Sequence, residues 1–124
     1  EITLGAGGHG EAGAVNIPMC TSRELAEYLL DMIIKDKPFV PGDELSFIVN
    51  GTGGTTMMEL LIFYNDCWDI LEERGFKVFK PIVGTLSTIQ ESSGIVLDVC
   101  KMANDDMKKT WTMPTDCTAF PRTW

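Results

Sequence analysis

ELSFIVNGTGGTTMMELLIFYNDCWDILEERGFKVFKPIVGT, residues 44–85, decides the fold. Glu44 to Asn50 carries Leu45, Phe47, Ile48 and Val49, a run that reads as a half- to fully buried strand. The loop Gly51-Thr52-Gly53-Gly54 follows, and Thr56 and Glu59 then stand at the spacing of a capping box. The spacing predicts a helix over 56–74. Met57, Leu60, Leu61, Tyr64, Trp68 and Leu71 mark its apolar face, and Gly75 stops it. Phe76 to Thr85 reads as a second strand, with Pro81 placing it at an edge or an irregularity. Strand, helix, strand is a βαβ unit, so the two strands should be parallel.

Working outward, Gly94 to Met102 is a further strand rich in Ile, Val and Leu. The polar stretch before it is too short for a crossover helix, so this strand should run antiparallel. Asn104 can cap a short helix through Trp111, and the tail beyond is irregular, with Phe120 and Trp124 able to pack back. Toward the N-terminus, Pro41-Gly42-Asp43 is a turn. Thr21 and Glu24 open another capped helix, with Leu25, Leu29, Met32 and Ile33 on one face and Asp36-Lys37-Pro38 at its end. Ile2 to Ala6 is a short strand running into Gly5-Ala6-Gly7-Gly8-His9-Gly10, and Glu11 to Cys20 reads as irregular. The expected fold is α/β: a small mixed sheet with helices packed on it, one βαβ unit and an antiparallel final strand.

The 124 residues make one domain, 1–124, large enough to bury roughly two-thirds of the surface that the unfolded chain exposes. Ten Lys and Arg against eighteen Asp and Glu leave a net charge of −8, which repels phosphate backbones and anionic headgroups. Nucleic acid and membrane surfaces are therefore not expected partners. No apolar run reaches the ~18 residues of a membrane span. Cys20, Cys67, Cys100 and Cys117 form no CxxC pair and there is a single histidine, so no zinc site is expected. Reduced thiols and a cytoplasmic location fit that spacing. The opening at Glu1, directly into an apolar segment, points to a piece of a longer chain.

Gly5 to Gly10 satisfies GxGxxG, but no helix opens at once and no acidic residue ends a second strand ~20 residues on, so a dinucleotide site is not expected. The chemistry of that loop lies in His9. A lone histidine is most often a residue with structural contacts only. Glycines on both sides, however, leave its ring unshielded and let a small molecule approach the backbone. A neutral imidazole is a nucleophile toward a carbonyl carbon. Glu11 is a candidate to orient the ring, or a loop hydrogen-bond acceptor. The loop Gly51 to Gly54 before a helix is either a tight turn or a cradle for an anion. It has no lysine and is no Walker motif.

These residues resemble a known family. Leu4 to Gly13, with its glycine-flanked His-Gly-Glu, is similar to the corresponding segment of the dihydroxyacetone kinases. Val49-Asn50-Gly51-Thr52-Gly53-Gly54-Thr55 with Glu59-Leu60 resembles their second glycine loop and its helix. Gly84, Thr88, Glu91 and Gly94, and then Trp111-Thr112-Met113-Pro114, fall on the later segments. The likeness runs the length of the chain and covers the C-terminal part of that family's substrate-binding region. It implies that His9 adds to the ketone carbon of dihydroxyacetone and holds it as a hemiaminal while a hydroxyl is phosphorylated. Gly7, Gly8 and Gly10 would line the ketose. No cofactor and no metal is expected on this chain. The phosphoryl donor, ATP–Mg or a phosphocarrier protein, would come from a partner domain or subunit.

The resemblance further implies a preceding N-terminal domain with the acid and base residues, an exposed apolar patch where it docks, and a homodimer. Gly8 stands where the family has a bulky apolar residue and Ala12 where proline is frequent, and Thr88-Ile89-Gln90-Glu91-Ser92 departs from the usual Thr-Ser-Leu-acidic-Met. Two other readings stand beside a kinase part: a non-catalytic ketose-binding regulator on the same scaffold, and a phosphate-binding α/β module using Gly51 to Gly54.

Overall fold

A computed structural model describes residues 1–122. Its hub is the strand β3, Glu44–Gly51, whose Leu45, Ser46, Phe47, Val49, Asn50 and Gly51 are buried. For the chain before it the order is β1 (Ile2–Leu4), β2 (Val15–Ile17) and α1 (Ser22–Asp36). After it come α2 (Met57–Glu73), β4 (Lys77–Val78), β5 (Ile82–Gly84), β6 (Ile95–Lys101) and α3 (Asp105–Trp111).

β3 sits in the middle of the main sheet. β6 covers one edge of it antiparallel, from Leu45↔Lys101 to Gly51↔Ile95. β4 and β5 both pair with it in parallel, at Glu44↔Lys77 and Leu45↔Val78 and then at Ile48↔Ile82 to Asn50↔Gly84. With β6 on the other edge, β4 and β5 share one edge end to end. The βαβ unit and the antiparallel final strand are as the sequence predicts.

The expected strand over 76–85 is two strands. The register gains one residue between Val78 and Ile82, and Lys80 has a positive φ of 39°. Pro81 has no N–H for the ladder, so the strand bulges outward there. The freed Lys80 carbonyl is held elsewhere: it accepts from Trp111 Nε1 at 2.9 Å and from Ser46 Oγ at 3.4 Å.

The expected capping boxes at Thr21/Glu24 and Thr56/Glu59 both form, and Asn104 caps α3 through the Met107 N–H at 2.9 Å. Each satisfies backbone donors that the first helical turn leaves unpaired. The faces differ from those expected. In α2 the buried residues are Leu60, Phe63, Cys67, Ile70 and Leu71, with Tyr64 and Trp68 packed partly against them. Met57 and Leu61 are about half exposed. Over its first two turns, Met57 to Tyr64, α2 is apolar on every side but that of Glu59, so periodicity alone does not choose the side that lands on β3. In α1 the expected Leu25 and Leu29 pack partly against the core, but the fully buried positions are Ala26 and Leu30, and Met32 is exposed. α1 packs on α2. The Arg23–Glu73 and Arg74–Asp31 ion pairs bind the two helices, and Ala26 lets them approach.

The core joins Leu45, Phe47 and Val49 of β3 to Ala26 and Leu30 of α1 and to the inner face of α2. Tyr64 bridges Phe47 and Trp68 through tilted ring contacts. On the outer face of α2, Met57, Met58, Leu61 and Ile62 form an exposed apolar patch, with Asn65 and Asp66 beside it.

Residues 11–20, expected to be irregular, hold β2, which pairs antiparallel with β1 from Ile2↔Ile17 to Leu4↔Val15. The two form a separate ribbon whose tip is the loop 5–14. In the tail, Thr115 and Arg122 form an isolated bridge, and Phe120 is half-buried beneath the Arg122 guanidinium. Trp124 lies outside the described residues. All four cysteines are free thiols. Among the described residues no helix is long and apolar enough to cross a membrane.

Candidate functional site

Parallel strands place their binding loops at their carboxyl ends. Here the loop 51–56 leaves β3 and the loop 85–94 leaves β5 at the same end of the sheet. They are stitched together. The Thr52 N–H donates to the Gly94 carbonyl at 3.1 Å, the Gly54 N–H to Ser92 at 2.8 Å, and the Ile89 N–H to the Thr52 carbonyl at 2.8 Å. Thr55 Oγ1 donates to the Gly94 carbonyl at 2.9 Å, and buried Thr52 Oγ1 lies 3.1 Å from Ser92 Oγ. A Cβ on Gly54 would collide with Ser93 Oγ and reach 3.0 Å from the Ser92 carbonyl oxygen, so glycine is what lets the loops meet.

Asn50 closes the hydrophobic strand with a buried amide. Its Nδ2 donates to the Ser87 carbonyl at 2.8 Å, and its Oδ1 accepts the N–H groups of Leu86 and Ser87 at 2.7 and 2.9 Å. This clamp is a feature that pattern reading passes over. Its one signal is a polar residue ending an apolar run.

The loop 5–14 brings His9. Gly5 and Gly10 take positive φ of 75° and 84° at its start and at its middle. The Ala14 N–H donates to the Leu4 carbonyl at 2.7 Å and the Gly7 N–H to the Glu11 carbonyl at 3.2 Å. His9 stands exposed near the tip, with Gly8 and Gly10 on either side. Gly8 faces the second loop: a Cβ placed on it would lie 3.9 Å from Ile89 Cδ1. The structure therefore brings the His9 segment against the 85–94 loop, and through that loop toward Gly53 and Gly54.

The Glu11 carboxylate folds back on the main chain. Its Oε2 accepts the backbone N–H of His9 at 3.0 Å; it is bound to the main chain beside the ring. The Gly51–Gly54 loop is tied to its neighbour and not open as an anion cradle. The Thr52 and Gly54 amides are taken by the neighbouring loop, and the Glu59 carboxylate already caps Thr56 at the helix start. Negative charge at that helix end opposes a second anion. Among the described residues no three His, Cys, Asp or Glu side chains gather as metal ligands would.

Comparison with known proteins supplies the family. The model of the Dak1 domain matches residues 1–119. The chain belongs to the Dak1 domain family. It is 33% identical over 120 residues to the dihydroxyacetone-binding subunit DhaK of PTS-dependent dihydroxyacetone kinase 1 from Listeria innocua, covering 97% of this chain and 36% of that one. It is 32% identical to an L-erythrulose kinase of Pectobacterium atrosepticum, over 96% of this chain and 21% of the other. A solved structure, the dihydroxyacetone kinase operon co-activator DhaQ, superposes with a TM-score of 0.79 at 29% identity, over 85% of this chain and 33% of that one. This Dak1 chain thus spans about a third or less of the length of these relatives.

Proposed function

We propose that this Dak1-domain chain is the substrate-anchoring part of a dihydroxyacetone kinase-like protein, and that His9 holds a short ketose covalently. The observation that carries the reading is His9 itself: an exposed imidazole between glycines, on a loop seated against the carboxyl-end loops of the sheet. The neutral ring nitrogen donates its lone pair to the ketone carbon, and the carbonyl π pair moves to oxygen. The proton that the ring's other nitrogen gives up ends on that oxygen, which leaves a neutral hemiaminal. Only a carbonyl compound can form this bond, so glycerol is rejected by chemistry and not by shape. Gly7, Gly8 and Gly10 give the ligand access to the ring and the backbone.

The kinase names of the Listeria and Pectobacterium relatives support a phosphorylation that follows capture. We place the acid and base residues on an N-terminal domain of a longer chain and the phosphoryl donor, ATP–Mg or a phosphocarrier protein, on a partner. The exposed Met57, Met58, Leu61 and Ile62 face of α2 suits such a neighbour.

Native mass spectrometry tests the anchor. Dihydroxyacetone or erythrulose should add its full mass, with no loss of water, and glycerol should add nothing. His9→Ala should abolish the adduct and leave the fold intact. Capture by the alanine variant with unchanged affinity overturns the reading. A second reading, a ketose-binding regulator without turnover, is favoured by the likeness to the co-activator. Supplying the donor partner separates the two: a kinase consumes the bound ketose, and a regulator keeps it.

A further inference from the structure

We infer that Glu11 is a positioning residue for His9, acting through the main chain by way of a cleft that only glycine at position 7 leaves open. The inference rests on the ketose-anchoring reading of His9 and adds the device that sets the ring in place.

Three observations meet at this point. Glu11 Oε2 accepts the His9 N–H at 3.0 Å, so the carboxylate is folded back on the residue two before it. The Gly7 N–H donates to the Glu11 carbonyl at 3.2 Å, which closes the same turn from the other side. A Cβ on Gly7 would collide with Glu11 Oε2, and would lie 2.6 Å from its Cδ and 2.9 Å from its Cβ. The space that the carboxylate fills is thus the space that any other residue at 7 would take.

The chemistry explains why the carboxylate is turned away from the ring. A carboxylate bonded to an imidazole N–H favours the protonated ring, and a protonated ring has no lone pair for a carbonyl. Bonded to the backbone amide, the same group fixes the tip without that effect. A charged acceptor makes this hydrogen bond stronger than a neutral one would. Gly8 and Gly10 beside the ring offer no rigidity of their own, so the loop needs one such tie.

The test uses the longer protein to which this chain belongs, isotope-labelled at histidine, with the His9 amide assigned by its loss in His9→Ala. Hydrogen exchange of the His9 N–H and adduct formation with dihydroxyacetone are followed in the wild type and in E11Q, E11A and G7A. Gln keeps an acceptor oxygen, so E11Q should retain slow exchange and the adduct. E11A and G7A should exchange roughly tenfold faster, the loss of one charge-assisted bond, with adduct yield falling in parallel. Wild-type exchange in E11A overturns the inference. So does an adduct lost in E11Q while its amide stays protected, because the charge would then act on the ring. The expected exchange pattern with no adduct in the wild type supports the tie and overturns the ketose reading alone.

Discussion

Asn50 holds Ser87 from both sides: its Nδ2 donates to the Ser87 carbonyl at 2.8 Å and its Oδ1 accepts the Ser87 N–H at 2.9 Å. The same oxygen takes the Leu86 N–H, so one side chain satisfies three backbone groups at the mouth of the sheet. Asn50→Ala leaves them without these partners and should cost about 1–3 kcal/mol in urea denaturation. Asn50→Asp should not restore it, because a carboxylate cannot donate to the Ser87 carbonyl. An unchanged midpoint in the alanine variant would show that water replaces the clamp.

The face of α2 makes a paired prediction. Phe63 is buried in the core, and Phe63→Ala should cost about 3–5 kcal/mol. Leu61 is about half exposed, and Leu61→Ala should stay within about 0.5 kcal/mol of the wild type. Equal losses at the two positions would mean that the helix is turned differently on β3.

The capping boxes tie stability to acid. The Thr56 hydroxyl, and then its backbone N–H, hold the Glu59 carboxyl below its ordinary range. The Thr21 backbone N–H and then its hydroxyl do the same for Glu24. A carboxyl with a depressed folded pKa stabilises the fold above its unfolded value, and the contribution disappears as the pH falls through the folded one. Thermal midpoints should therefore drop below the ordinary glutamate range, and Glu59→Gln should make that acid limb shallower. At neutral pH, Thr56→Ala should cost about 0.5–2 kcal/mol, the usual loss of an N-cap.

Thiol chemistry reports on the core. Burial, and then the nearby charge of Asp66, push the Cys67 thiol up to about 12. It stays protonated at pH 8 and should resist alkylation in the folded chain. Cys117, which is exposed, should be modified first. Mass counting of labels before and after denaturation checks this, and early labelling of Cys67 would place it outside the core.

Most of the fold can be read from residues 44–85, because a strand, a capped helix and a second strand leave few topologies open. Both glutamate-threonine boxes are local, and local signals survive in a single sequence. What escaped has a tertiary cause. Leu61 and Phe63 are equally apolar, and only the packing of α2 on β3 separates them. Pro81 hints at the break at Lys80, but the carbonyl freed there is held by Trp111, thirty-one residues away in the chain. β2 is short, and Val15 and Asn16 are exposed, so no alternation marks it. In the candidate site, His9 stands out in the sequence by its flanking glycines. The choice made by Glu11 between ring and backbone does not, since it depends on the space beside Gly7.

The placing of β3 between its neighbours governs the order of assembly. Its parallel edge is filled by residues that follow directly on α2, so the chain to Gly84 holds a complete βαβ unit. Its other edge waits for β6, whose pairs lie 44 to 56 residues further along. Distant pairings form late because the loop must close before they reward it. Until Ile95–Lys101 arrives, Leu45 to Val49 offer an open apolar edge, the kind that recruits a strand from another molecule. A chain cut after Gly84 would be left in that state, and self-association through β3 is its expected fate.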